Sequence, residues 1–147
     1  LFPEVRLKRF MEMRGADGGP WGRLCALPAL WAGLCYDSDA LEAAWALCRD
    51  FTREERNALR AEAPIHGLKT PFRDGTLGDI AREVVAIAIE GLRRRGRLDA
   101  RDRDETIYLE GLAEIAETGV TPAEHLLALY HGRWNQSVDP VFTEFAY

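Results

Sequence analysis

Three things are scarce in this sequence: cysteine, basic charge and long apolar runs. Each shortage argues against a class of protein. Cysteine occurs three times in 147 residues, at Cys25, Cys35 and Cys48. No two of them form a C-x-x-C pair, which speaks against a disulfide scaffold and against a thiolate zinc site, and makes a reducing compartment the default. Lys and Arg total 19 against 24 Asp and Glu, a net charge of −5. A general nucleic-acid binder needs the opposite balance to displace counterions from phosphates. The longest apolar run covers residues 84–89 and is bounded by Glu83 and Glu90, far short of the roughly 20 residues of a membrane span. No internal repeat or low-complexity segment is present, and the opening LFPEVRLKRF does not read as a secretory leader. The rest is ordinary for a globular chain, 47% hydrophobic and 29% charged, with length enough for one domain and a real core.

Residues 4–14, EVRLKRFMEMR, alternate with period two. They are expected to form one strand with Val5, Leu7, Arg9, Met11 and Met13 on one face and Glu4, Arg6, Lys8, Phe10, Glu12 and Arg14 on the other. The chain opens in this segment without a methionine, so we expect a fragment or a processed chain. GADGGP, residues 15–20, reads as a loop. Beyond this loop the chain reads mostly as helix. Residues 21–36 are apolar nearly all round, as in a buried helix, with Pro28 expected to kink or interrupt it. A helix over about 39–49 would be capped by Ser38 and Asp39 and would bury Leu41, Ala44, Trp45 and Cys48. Thr52 and Glu55 form a capping box for a helix near 53–62, which Pro64 should stop. After a Pro/Gly-rich loop at 64–75, a long helix over about 77–95 carries the stripe Ile80, Val84, Ile87, Ala88 and Leu92. It ends at Gly96 behind Arg93, Arg94 and Arg95. Residues 97–105 read as a charged, mobile surface excursion. Next come helices over about 105–118 and from Pro122 to about His131, the latter opened by Thr121 and Glu124. The tail, with Trp134, Val138, Val141, Phe142, Phe145 and Tyr147, is expected to pack down.

The charged strand face is the first candidate site. Residues 1–23 hold five basic and three acidic side chains, net +2, against −7 for the rest. An acidic protein that keeps its locally basic stretch on a strand running into a Gly-rich loop suits an anionic ligand. Arg and Lys bind phosphate or carboxylate, and a Glu can hold a divalent metal that bridges phosphates. The plain alternative is an exposed edge strand with cross-strand ion pairs. Lys69 and Arg73, in the 66–75 loop, could also reach an anion or could belong to a structural turn. His66, His125 and His131 are scattered and suggest no metal pair, and Cys35 and Cys48 read as core.

Several long strings resemble one family. LFPEVRLKRFMEMRGADGGPW, RLCALPALWAGLCYD, GLKTPFRDG, TGVTPAEHLL and GRWNQSVDPVF occur in order along the chain. Together they resemble plant-type glutamate–cysteine ligases, the class shared by plants and many proteobacteria. Residues 94–113 diverge, with additional charged residues. The resemblance implies a mainly α chain: the helical C-terminal part of an α+β, glutamine-synthetase-like ligase, with one N-terminal β-strand. Residues 1–19 would be the active-site strand and Gly-rich loop, and residues 20–147 a single helical region.

The family joins glutamate and cysteine with ATP and magnesium, through a γ-glutamyl phosphate, in the first step of glutathione synthesis. Its pattern of Glu, apolar residue, Arg and then Asp corresponds here to Glu12-Met13-Arg14-Gly15-Ala16-Asp17. By that resemblance Glu12 is a magnesium ligand and Arg14 is the catalytic cation near the transferred phosphoryl or the substrate glutamate. Arg6 and Lys8 are substrate or nucleotide contacts. Cys25 resembles a cysteine that joins a regulatory disulfide in some plant members, with a partner that would lie outside this chain. The implied partners are glutamate, cysteine, ATP and the remainder of a parent enzyme. The implied location is the cytoplasm of a bacterium or the plastid of a plant. No nucleic acid or membrane is expected, and an unpaired strand edge could lead the piece to self-associate. The piece alone is expected to be inactive. Two rivals stand: a γ-glutamyl ligase acting on another amine, and a non-catalytic helical interaction module.

Overall fold

Two antiparallel three-residue strands, β1 (Val5–Leu7) and β2 (Met11–Met13), precede a run of helices in the computed structural model, which describes residues 4–16 and 18–146. The helices are α1 (Trp21–Cys35), α2 (Ser38–Cys48), α3 (Arg53–His66), α4 (Leu77–Arg95), α5 (Glu110–Thr118), α6 (Pro122–His131) and the short α7 (Val141–Glu144). A two-residue hairpin pair, β3 (Pro71–Phe72) and β4 (Gly75–Thr76), sits between α3 and α4. The chain is therefore mainly α, as the sequence suggested.

The core forms where α4 crosses α1. Ala29, Leu34, Ala88, Leu92 and Leu109 are buried together, with Leu30, Trp31, Val84, Ile87 and Leu112 packed against them. Leu92 and Leu109 are fully buried, each worth roughly 1.5–3 kcal/mol of transfer free energy. The two helix backbones touch. A methyl group on Gly91 would lie 2.0 Å from the Gly33 carbonyl oxygen, and one on Gly33 would lie 2.3 Å from the Ala88 carbonyl oxygen. Only glycine at both places lets the axes approach this closely. Gly96, at φ 61°, ends α4 with its N–H donating to the Leu92 and Arg93 carbonyls, and the three arginines of its last turn sit where the dipole favours them.

The structure departs from the sequence reading at several points. The alternating segment is not one strand but a hairpin that reverses at residues 8–10. Asp37, not Ser38 or Asp39, caps α2, its Oδ1 accepting from the Ala40 N–H at 2.9 Å. In α2 the buried residue is Ala40, whereas Leu41, Trp45 and Cys48 are exposed. Neither Pro28 nor Pro64 ends its helix. Each proline removes one i→i−4 bond yet already holds a helical φ, and both are exposed. The 97–105 excursion is folded: Asp99 Oδ1 accepts from the Arg101 and Arg103 N–H groups, and Leu98 bridges Asp104. Residues 105–109 form a 3-10 turn ahead of α5 rather than its first turn. Trp134 is buried, as the packed tail required, but Val138 and Phe142 are exposed. Tyr147 lies outside the described residues.

Candidate functional site

The N-terminal hairpin gathers the charged residues that the alternation singled out. Its register sets Arg6 directly opposite Glu12, Val5 opposite Met13 and Leu7 opposite Met11. The Lys8 N–H donates to the Phe10 carbonyl at 2.8 Å and closes the turn, while the Arg14 N–H donates to the Glu4 carbonyl at 2.8 Å and extends the ladder. On a single strand, Arg6 and Glu12 would stand about 20 Å apart at ~3.3 Å per residue. The reversal brings them together instead. Arg6 Nε donates to Glu12 Oε2 at 2.5 Å, and Lys8 Nζ approaches the same oxygen at 3.9 Å. The hydrogen bond from Arg6 holds the Glu12 carboxyl below the usual carboxylate range, and the charges of Arg6, Lys8 and Arg14 act in the same direction. The cluster is thus three cations around one ionised carboxylate, and its side chains remain open to solvent.

The other charged candidates are held by partners. Lys69 Nζ donates to Glu124 Oε1 at 2.7 Å. Arg73 donates to both carboxylate oxygens of Glu55, at 2.7 and 3.0 Å, and to the Asp50 carbonyl, with its guanidinium 5.2 Å from the Phe51 and Phe72 ring centres. Both residues thus bind carboxylates of this same chain and join elements. Arg93, Arg94 and Arg95, in the last turn of α4, pair with Glu90, Asp37 and Glu105. One residue near the site has no sequence signal at all: Arg60 of α3 pairs with Glu4, the residue whose carbonyl receives Arg14.

Asp17, the last member of the Glu-x-Arg-x-x-Asp pattern, lies outside the described residues. Cys25 and Cys35 are half-buried and Cys48 is exposed, so Cys48 is not the core residue its helix suggested. Among the described residues no three His, Cys, Asp or Glu side chains converge on a metal-sized site. Glu12 can therefore supply one oxygen ligand to a shared cation, and the described residues do not complete a site around it. No helix among the described residues is long and apolar enough to cross a membrane.

Fold and geometry together define a class: a mainly helical chain with a charged hairpin at its N-terminal end, in which Arg6 and Lys8 face the Glu12 carboxylate. The particular family emerges from comparison. Residues 1–144 match glutamate-cysteine ligase family 2, and the chain belongs to that family. Over all 147 residues it is 58% identical to the chloroplastic glutamate–cysteine ligase of Solanum lycopersicum, 57% to that of Nicotiana tabacum and 56% to that of Arabidopsis thaliana. It spans 27% of the length of each of these relatives.

Proposed function

We propose that this chain is part of an ATP- and magnesium-dependent glutamate–cysteine ligase that forms γ-glutamylcysteine, the first step of glutathione synthesis. The observation that carries the reading is identity above half along the whole chain, including the segment that folds into the charged hairpin. In the proposed reaction the γ-carboxylate oxygen of glutamate attacks the γ-phosphorus of ATP and ADP leaves. The cysteine amine then attacks the acyl carbon, the carbon–oxygen bond to phosphate breaks, and inorganic phosphate departs with loss of a proton from nitrogen. Bound magnesium would supply charge neutralisation of the triphosphate. Glu12, whose carboxylate the Arg6 hydrogen bond and the neighbouring cations keep ionised to lower pH, is the ligand this chain would contribute to it. Arg14 would stabilise the transferred phosphoryl or orient the substrate glutamate, and Arg6 and Lys8 would contact nucleotide or substrate. Residues 1–19 would then be the catalytic segment and residues 20–147 the helical region that supports it.

The test is kinetic and uses the full-length parent. Glu12→Gln and Arg14→Ala should each reduce turnover at least about 100-fold, as expected for loss of a charge acting on the transition state. Near-normal rates reject the site. The 147-residue piece by itself should form no γ-glutamylcysteine, because one carboxylate and three cations do not complete the site. The relatives are named as chloroplastic, and on that support we assign the parent to a plastid rather than to a bacterial cytoplasm. A panel of amines in place of cysteine separates this ligase from one of different acceptor. The non-catalytic interaction module is favoured by one feature, the exposure of the charged hairpin face with no third strand beside it among the described residues. A parent protein without ATP turnover would support it.

A further inference from the structure

The sequence makes α1 apolar on every side, and the structure covers only one of them. Ala26, Ala29, Gly33 and Leu34 are buried, but Trp21 is 78% exposed, Leu24 51% exposed and Pro28 exposed as well. Arg23 is the one charged residue in the helix. In α2 the pattern repeats. Ala40 is buried, while Leu41 and Trp45 are 50% and 57% exposed and share a face with exposed Cys48 at the i, i+4, i+7 spacing. A helix that is hydrophobic all round is normally buried all round. Faces rich in tryptophan and free of charge have the composition of a permanent interface core, not of a solvated surface.

We propose that the outer face of α1 and the Leu41–Trp45–Cys48 face of α2 are docking surfaces for the remaining polypeptide of the same parent chain, which meets them with an apolar, uncharged surface. Two observations select this occupant over a second copy. The chain accounts for 27% of the length of its relatives, so most of the parent polypeptide stands outside it and must pack somewhere. Of the two carboxylates on the hairpin, Glu4 pairs with Arg60 and Glu12 alone joins the charged cluster, and among the described residues no set of metal ligands converges on it, so on the proposed function the elements that complete its site must stand beside it. Trp21 opens α1 only eight residues after Met13 ends β2. The exposed start of α1 is therefore within about 25 Å of chain reach of whatever completes the hairpin. The first observation rests only on the chain being part of a longer family member and the second rests also on the proposed site, so a parent that ligates nothing could still bear the inference out on the first.

The experiment uses the full-length parent and needs no substitution. Alkylation of Cys48 by N-ethylmaleimide, followed by peptide mass spectrometry, is compared between the native and guanidinium-unfolded protein. Hydroxyl-radical footprinting reads Trp21, Leu24, Leu41 and Trp45 in parallel. Both are repeated at dilutions where sedimentation shows a monomer. The expected result is Cys48 modification slowed at least about tenfold in the native monomer, with low radical oxidation of all four side chains. Cys48 reacting within about twofold of its unfolded rate, or ready oxidation of Trp21 and Trp45, would overturn the proposal. Protection that disappears on dilution to monomers would also overturn it, because the occupant would then be a second copy.

Discussion

At the scale of single residues, the clearest constraints are steric and geometric. Gly91 and Gly33 let two helix backbones touch, so Gly91→Ala must push α1 and α4 apart. We expect it to lower stability by at least about 1–3 kcal/mol, read as a lower urea midpoint of the parent protein. Gly111 of α5 is the control. A methyl group there meets nothing within 4 Å, and Gly111→Ala should be neutral or stabilising by about 0.5–1 kcal/mol. Both glycines lie inside helices, where glycine is unfavourable, but no feature of the sequence says which one meets a neighbouring backbone. Arg73 makes a different point. At φ 51°, with two bonds to one carboxylate and two rings beside it, it uses the planar fork that lysine lacks. Arg73→Lys should therefore resemble Arg73→Ala in thermal unfolding rather than the unaltered chain. The sequence suggested an anion contact here, and the anion is Glu55 of the same chain.

At the scale of elements, signals that act within four residues were legible and those that depend on distant partners were not. The Thr52–Glu55 and Thr121–Glu124 caps form as expected, with the Glu55 and Glu124 N–H groups donating to the threonine hydroxyls at 3.1 and 3.2 Å. Thr121→Ala should cost about 1 kcal/mol, seen as faster amide exchange in the first turn of α6. The strand was misread because alternation is equally satisfied by a hairpin, and the reversal at residues 8–10 contains no Gly, Asn or Pro to announce it. The same two caps set a pH dependence. A hydrogen bond from Arg73 lowers the Glu55 pKa to about 2, and one from Lys69 lowers that of Glu124 to about 2. Both folded values lie below the ordinary 4.5. Their contribution is therefore fully present above pH 4.5 and is lost as the pH falls from there toward 2, where unfolding takes up protons. Urea midpoints measured between pH 6 and 2 should fall over that window, and the fall should be shallower in the Glu55→Gln, Glu124→Gln double variant.

At the scale of the whole molecule, apolar patterning and helix caps set the mainly helical class and the long motifs set the family. The burial pattern was less accessible, because on the docking proposed above the apolar faces of α1 and α2 answer to surfaces outside this chain. That is why Leu41, Trp45 and Cys48 read as core and stand exposed. The three-residue strands β1 and β2 carry a further consequence. Each pairs only with the other among the described residues, and a two-stranded ribbon is marginal in water. Its outer rows of amide and carbonyl groups are ready to accept another strand. The charged cluster would then owe its stiffness to neighbours laid against those rows, and completing the sheet and organising the ligand cradle would be one event. A parent protein weakened far from the hairpin, in a strand that never meets nucleotide, should then lose grip on ATP before it loses its helices.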